Sequence, residues 1–72
     1  MENIDFKAQA ADVIENLIAK NRLEDAVFAR KENDFGGLSY YIARALGLDF
    51  NASIKFGLIF AVADAIDALE AV

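Results

Sequence analysis

Residues 56–63 read FGLIFAVA, an apolar run that no other stretch of the chain equals. Lys55 and Asp64 bound it. The run is eight residues long, far short of the roughly 20 apolar residues a membrane-crossing helix needs. Beyond it, the sequence DAIDALEAV returns to an apolar–acidic pattern at helical spacing. Residues 51–71 therefore read as one long helix, apolar all round in its first half and amphipathic in its second. A helix that is apolar all round must be covered all round, so the rest of the fold is expected to pack around this one.

What can do the covering is limited by size. Seventy-two residues make one domain, expected to span residues 1–72. A chain this short buries only about 60% of the surface it exposes when unfolded. Small domains are commonly reinforced by disulfides, metals or oligomerisation. The chain has no cysteine and no histidine, which removes disulfides, thiolate metal sites and the commonest metal ligand and general base. Self-association is the reinforcement that remains. An apolar content of 57%, against about 45–50% in ordinary domains, points the same way, toward a homodimer or a protein partner.

Seven basic and twelve acidic residues leave a net charge of −5. Long-range attraction to nucleic acid or anionic lipid is disfavoured, and a basic partner surface is favoured. The N-terminal MENIDFKAQA lacks a basic segment followed by an apolar one, so the expected location is cytoplasmic.

Proline is absent and the only glycines are Gly36, Gly37, Gly47 and Gly57, which leaves long stretches free to be helical. In residues 5–20, Phe6, Ala10, Val13, Ile14, Leu17 and Ile18 recur at three- and four-residue steps, giving an amphipathic helix capped by Asn3 or Asp5. Asn21 and Glu24 have capping-box spacing. A second helix over 22–31 then follows, with Leu23, Ala26 and Val27 inward and Phe28 partly exposed. Residues 32–37 read as a loop. A third helix over 38–46, capped by Asp34 or Ser39, turns Leu38, Ile42, Ala45 and Leu46 inward with Tyr41 at the flank. Gly47 suits the positive φ that ends a helix. Asp49 or Asn51 is then expected to cap the last helix.

On a helical wheel, Ile54, Leu58, Ala61, Val62, Ala65 and Leu69 make one continuous stripe along the last helix, its expected core face. The other side carries Phe56, Ile59, Phe60 and Ala63, then Asp64, Asp67 and Glu70. An aromatic centre with a polar rim is the usual make-up of a protein interface, so Phe56, Ile59, Phe60, Asp64 and Asp67 are the candidate partner-binding residues. The carboxylates of Asp64, Asp67 and Glu70 spread over roughly 120° of the helix, too far apart to converge on one cation, and no metal or cofactor is expected. With no histidine, no cysteine and no convergent acid–base pair, an enzyme is not expected either.

Ile42-Ala43-Arg44-Ala45-Leu46-Gly47-Leu48 resembles the first helix and turn of a helix-turn-helix motif, with alanine and glycine four residues apart. The resemblance implies DNA contacts from Arg44 and from a recognition helix bearing Asn51, Ser53 and Lys55. It departs from the pattern at Ser53, where a branched apolar residue belongs, and few of these groups are basic enough for phosphate contacts. A third class would be a carrier of a small apolar ligand, with its pocket among Phe6, Tyr41, Phe50 and Phe56.

The expectation is thus an all-α, four-helix domain with a central C-terminal helix. It would serve as a non-enzymatic, acidic protein–protein interaction module, adaptor or inhibitor, self-associating through that helix. A helix-turn-helix DNA-binding regulator is the alternative.

Overall fold

The computed structural model describes residues 5–49 and 53–70. These residues form four helices: α1 (Phe6–Ala19), α2 (Leu23–Lys31), α3 (Phe35–Ala45) and α4 (Phe56–Glu70). The all-α, four-helix architecture is the one expected. Two boundaries differ by more than one residue.

The first is the start of α3. Residues 35–37 read as loop but form the first turn of the helix. The Asp34 carboxylate accepts a hydrogen bond from the Gly37 backbone N–H at 2.9 Å. A cap of this kind is worth about 1 kcal/mol. Together with burial of Leu38, it offsets the roughly 1 kcal/mol per residue that glycine costs in a helix. Asp5 caps α1 in the same way, accepting from the Ala8 N–H at 3.0 Å; Asn3 lies outside the described residues.

The second is the start of α4. It begins at Phe56, and residues 53–55 are not helical. The Lys55 carbonyl accepts the first backbone bonds, from Leu58 and Ile59, which places the start of the helix well after Asp49, one of the two expected caps; the other, Asn51, lies outside the described residues. Ile54 instead packs its side chain against the core.

The first three helices end by one device. Asn21, Asn33 and Gly47 all take positive φ, at 59°, 55° and 72°. In each case the next residue's N–H reaches back to the helix: Arg22 to the Leu17 carbonyl, Asp34 to Ala29 and Leu48 to Ala43. This is the six-to-one bond of a Schellman motif. Asn21 therefore closes α1 rather than capping α2, whose N-cap residue Arg22 makes no side-chain capping bond. A left-handed backbone at Asn21 is incompatible with the extended conformation an N-cap needs. Because the residue after each asparagine is also the N-cap of the next helix, α1–α2 and α2–α3 are joined by the shortest of connections.

Helix α1 packs most extensively on α4, and α2 on α3. Ala10, Val13, Ile14 and Leu17 of α1 meet Leu38, Ile42 and Ala45 of α3 and Leu58, Ile59, Val62, Ala63 and Ile66 of α4 in one core, with Ala26 and Ala29 from α2. At the ends of the expected α1 stripe, Phe6 is half-buried and packs against the core, whereas Ile18 is left out, 58% exposed. Leu46, expected inward, is 40% exposed because α3 has already ended at Ala45. Phe28 is exposed as expected. The radius of gyration, 11.2 Å, equals the ~11 Å of a compact chain of this length.

Asn16 of α1 and Lys20, that helix's C-cap residue, fasten the end of α3. Asn16 donates to the Ala45 carbonyl at 3.1 Å, and Lys20 donates to the Arg44 carbonyl at 2.8 Å. Carbonyls in the last turn of a helix lack intrahelical donors; the Asn16 bond serves the Ala45 carbonyl, and Lys20 adds a second donor to the Arg44 carbonyl, which also accepts from the Gly47 N–H at 3.1 Å.

Candidate functional site

The buried face of α4 is rotated from the stripe expected for it. Leu58, Ile59, Val62, Ala63 and Ile66 are buried, whereas Leu69 is 48% exposed. On a helix turning about 100° per residue, Ile59 and Ile66 sit about 60° and 40° from Val62, while Phe56 and Phe60 sit about 120° and 160° away. Helices α1, α2 and α3 all contact α4, so the covered arc is wide enough to include Ile59 and not Phe60. Ile59, a candidate partner-binding residue, is therefore core, only 4% exposed.

Phe56 and Phe60 remain outside, 73% and 53% exposed. They stack at 6.3 Å between ring centroids, and Phe60 meets Phe35 edge-on at 5.6 Å. The result is an aromatic ridge running from the first turn of α4 to the first turn of α3. Sequence reasoning missed Phe35 because it placed that residue in a loop.

At one end of the ridge Arg30 ties three helices together. Its Nε and Nη2 donate to Oδ1 and Oδ2 of Asp67 at 3.1 and 2.9 Å, the two-pronged geometry that suits a guanidinium and a carboxylate. Its Nη1 donates to Asn33 Oδ1 at 2.9 Å, and its guanidinium carbon lies 6.0 Å from the Phe35 ring centre. One turn along α4, Lys31 pairs with Glu70 at 3.0 Å. Two carboxylates expected to rim an interface are thus matched by cations of the same chain; Asp64 is exposed. Among the described residues no group of three or more carboxylates gathers as a cation site.

The residues implied by the helix-turn-helix resemblance are not assembled as it requires. Ser53 and Lys55 precede α4 instead of standing on a recognition helix, and Asn51 lies outside the described residues. Arg44, near the end of α3, instead lines a cleft of about 540 Å³ with Lys20, Arg22, Tyr40 and Tyr41. Tyr40 and Tyr41 pack edge-to-face at 5.3 Å and divide two hollows of opposite sign. Lys20, Arg22 and Arg44 line the first, and Asp25, Glu32 and Asp34 line the second.

The residues considered for an apolar carrier are also dispersed. Phe6 lines a shallow groove with Leu46, Leu48, Ile54 and Leu58, Tyr41 lines the basic cleft, and Phe50 lies outside the described residues. Among the described residues no helix is long and apolar enough to cross a membrane. In comparisons with known proteins, no family model, no curated protein and no solved structure matches the chain.

Proposed function

We propose that this chain is a non-enzymatic interaction module that pairs with a second copy of itself through the ridge of Phe56, Phe60 and Phe35. The observation that carries the reading is the exposure of Phe56 and Phe60, stacked on each other at the surface of α4. Aromatic side chains concentrate at interface centres because each removes a large apolar area from water at little cost in side-chain freedom.

The rim favours a second copy over a strongly basic partner. The Arg30–Asp67 and Lys31–Glu70 pairs put both signs of charge beside the ridge. A two-fold axis across the ridge would set the same patch against itself, where each sign can find its opposite. A wholly basic partner surface would leave Arg30 and Lys31 facing like charge.

Molar mass measured by light scattering across a concentration series tests the reading. The native chain is expected at twice its 7.9 kDa chain mass, and Phe60→Asp and Phe56→Asp at the chain mass, with unchanged far-ultraviolet circular dichroism. A native chain that stays at its single-chain mass at high micromolar concentration would rule out self-association.

A further inference from the structure

The cleft between the ends of α1 and α3 has a character opposite to that of the molecule around it. The chain carries seven basic residues against twelve acidic ones, yet Lys20, Arg22 and Arg44 all line this one cleft. Its volume, about 540 Å³, falls within the roughly 300–1,000 Å³ of small-molecule sites. Both tyrosines of the chain edge it, and Tyr40 is 42% exposed.

From this arrangement we infer that the cleft binds a small phosphate monoester carrying a planar ring, of which a nucleoside monophosphate is the simplest example. A carboxylate carries one negative charge and is answered by one cation. A phosphate monoester carries close to two charges at neutral pH and three acceptor oxygens, enough to engage several cations together. Arginine offers a planar fork of donors and lysine a point charge, a pairing suited to phosphate. Lys20 is held in place by its bond to the Arg44 carbonyl, and its ammonium group keeps two further hydrogens to donate.

The ring requirement comes from the tyrosines. Their edge-to-face pairing sets aromatic surface beside the cations, where a planar ligand can stack. The acidic hollow on the other side of the pair, with Asp25, Glu32 and Asp34, repels an anion and so restricts the phosphate to the basic side. Asp25 is a local competitor of the ligand, its carboxylate 3.4 Å from Arg22 in a solvent-exposed pair.

The chain has two tyrosines and no tryptophan, and both tyrosines line this cleft as well as the acidic hollow. Their ring resonances therefore report on either, and Arg44, which lines the basic cleft alone, tells the two apart. Titration of the full chain with AMP, adenosine and inorganic phosphate, at fixed ionic strength, is followed by tyrosine-ring NMR shifts and by calorimetry. AMP is expected to saturate with Kd below about 1 mM, and adenosine and phosphate each to bind at least about tenfold more weakly. Arg44→Ala is expected to weaken AMP about tenfold, and Asp25→Asn to tighten it severalfold by freeing Arg22. Neither substitution touches the core, so each variant is expected to fold.

The proposal is overturned if AMP shows no saturation by about 10 mM, or if Arg44→Ala binds it as well as the native chain does. Phosphate binding as tightly as AMP would remove the ring requirement. Tighter binding of a tetra-aspartate peptide or of an oligonucleotide than of AMP would show the wrong ligand class.

Discussion

Adjacent glycines in the first turn of α3 have opposite duties. A methyl group placed on Gly36 would meet only the Asp34 Oδ1, at an ordinary 3.7 Å, whereas one on Gly37 would stand 2.5 Å from Asp34 Oδ2. That carboxylate is the helix cap, so Gly37 is kept small by the group that starts its own helix. Gly36→Ala is therefore expected to stabilise the fold by about 0.5–1 kcal/mol through helix propensity. Gly37→Ala is expected to lose that gain or reverse it, because the cap must move. Urea unfolding of the two variants side by side checks this, and equal stabilisation by both would show that the Asp34 cap contributes nothing. The helix-ending asparagines make a second residue-level case. Asn21 has φ 59°, so Asn21→Gly is expected to be neutral or slightly stabilising. Asn21→Ala is expected to cost about 1 kcal/mol in thermal or chemical denaturation.

Among the elements, α2 has the least to hold it. Only alanines, Ala26 and Ala29, are fully buried from it, with Leu23 and Val27 partly covered. Alanine burial contributes little compared with the 1.5–3 kcal/mol of a large aliphatic side chain. Its attachment to α4 consequently leans on Arg30–Asp67 and Lys31–Glu70. The Lys31–Glu70 pair is largely exposed and contributes little. Arg30 is more covered, with its side chain 25% exposed, and engages Asp67, Asn33 and Phe35 together. A double-mutant cycle of Arg30→Ala and Asp67→Ala is expected to give a coupling of about 0.5–1 kcal/mol that shrinks in high salt. Hydrogen exchange in Arg30→Ala is expected to rise first in α2, because that helix has the smallest apolar anchorage to fall back on. Uniform acceleration over all four helices would contradict it.

For the whole molecule, core and ridge should separate under substitution. Leu17, Leu38, Ile42 and Ile66 are completely buried, and truncating any of them to alanine is expected to cost about 2–5 kcal/mol. That is a large part of the 5–15 kcal/mol that holds a typical domain. Phe56 and Phe60 stand mostly in solvent. Phe60→Asp is therefore expected to leave the unfolding free energy of the single chain within about 1 kcal/mol of the native value while changing its assembly. If Phe60→Asp unfolds the chain as readily as Leu38→Ala does, the ridge is part of the core and the self-association reading fails with it.

Much of this was legible in the sequence because it is local. Residue periodicity was enough for the all-α class, the order of the four helices and most of α1's inner face. The Asp5 and Asp34 caps and the turn at Gly47 followed from side-chain chemistry acting over three or four residues. What the sequence could not supply is what depends on neighbours far along the chain. The apolar half of α4 has hydrophobic residues on all sides, so periodicity could not say which arc faces inward; the helices packed around it decided that Ile59 is buried and Phe60 is not. The start of α3 depended on Leu38 reaching the core, which outweighed two glycines. The acidic face of α4 looked free until the end of α2 brought Arg30 and Lys31 against it. The basic cleft was invisible in sequence because its cations come from the ends of separate helices. Local backbone energetics made the helices, and long-range packing chose the faces they show to solvent.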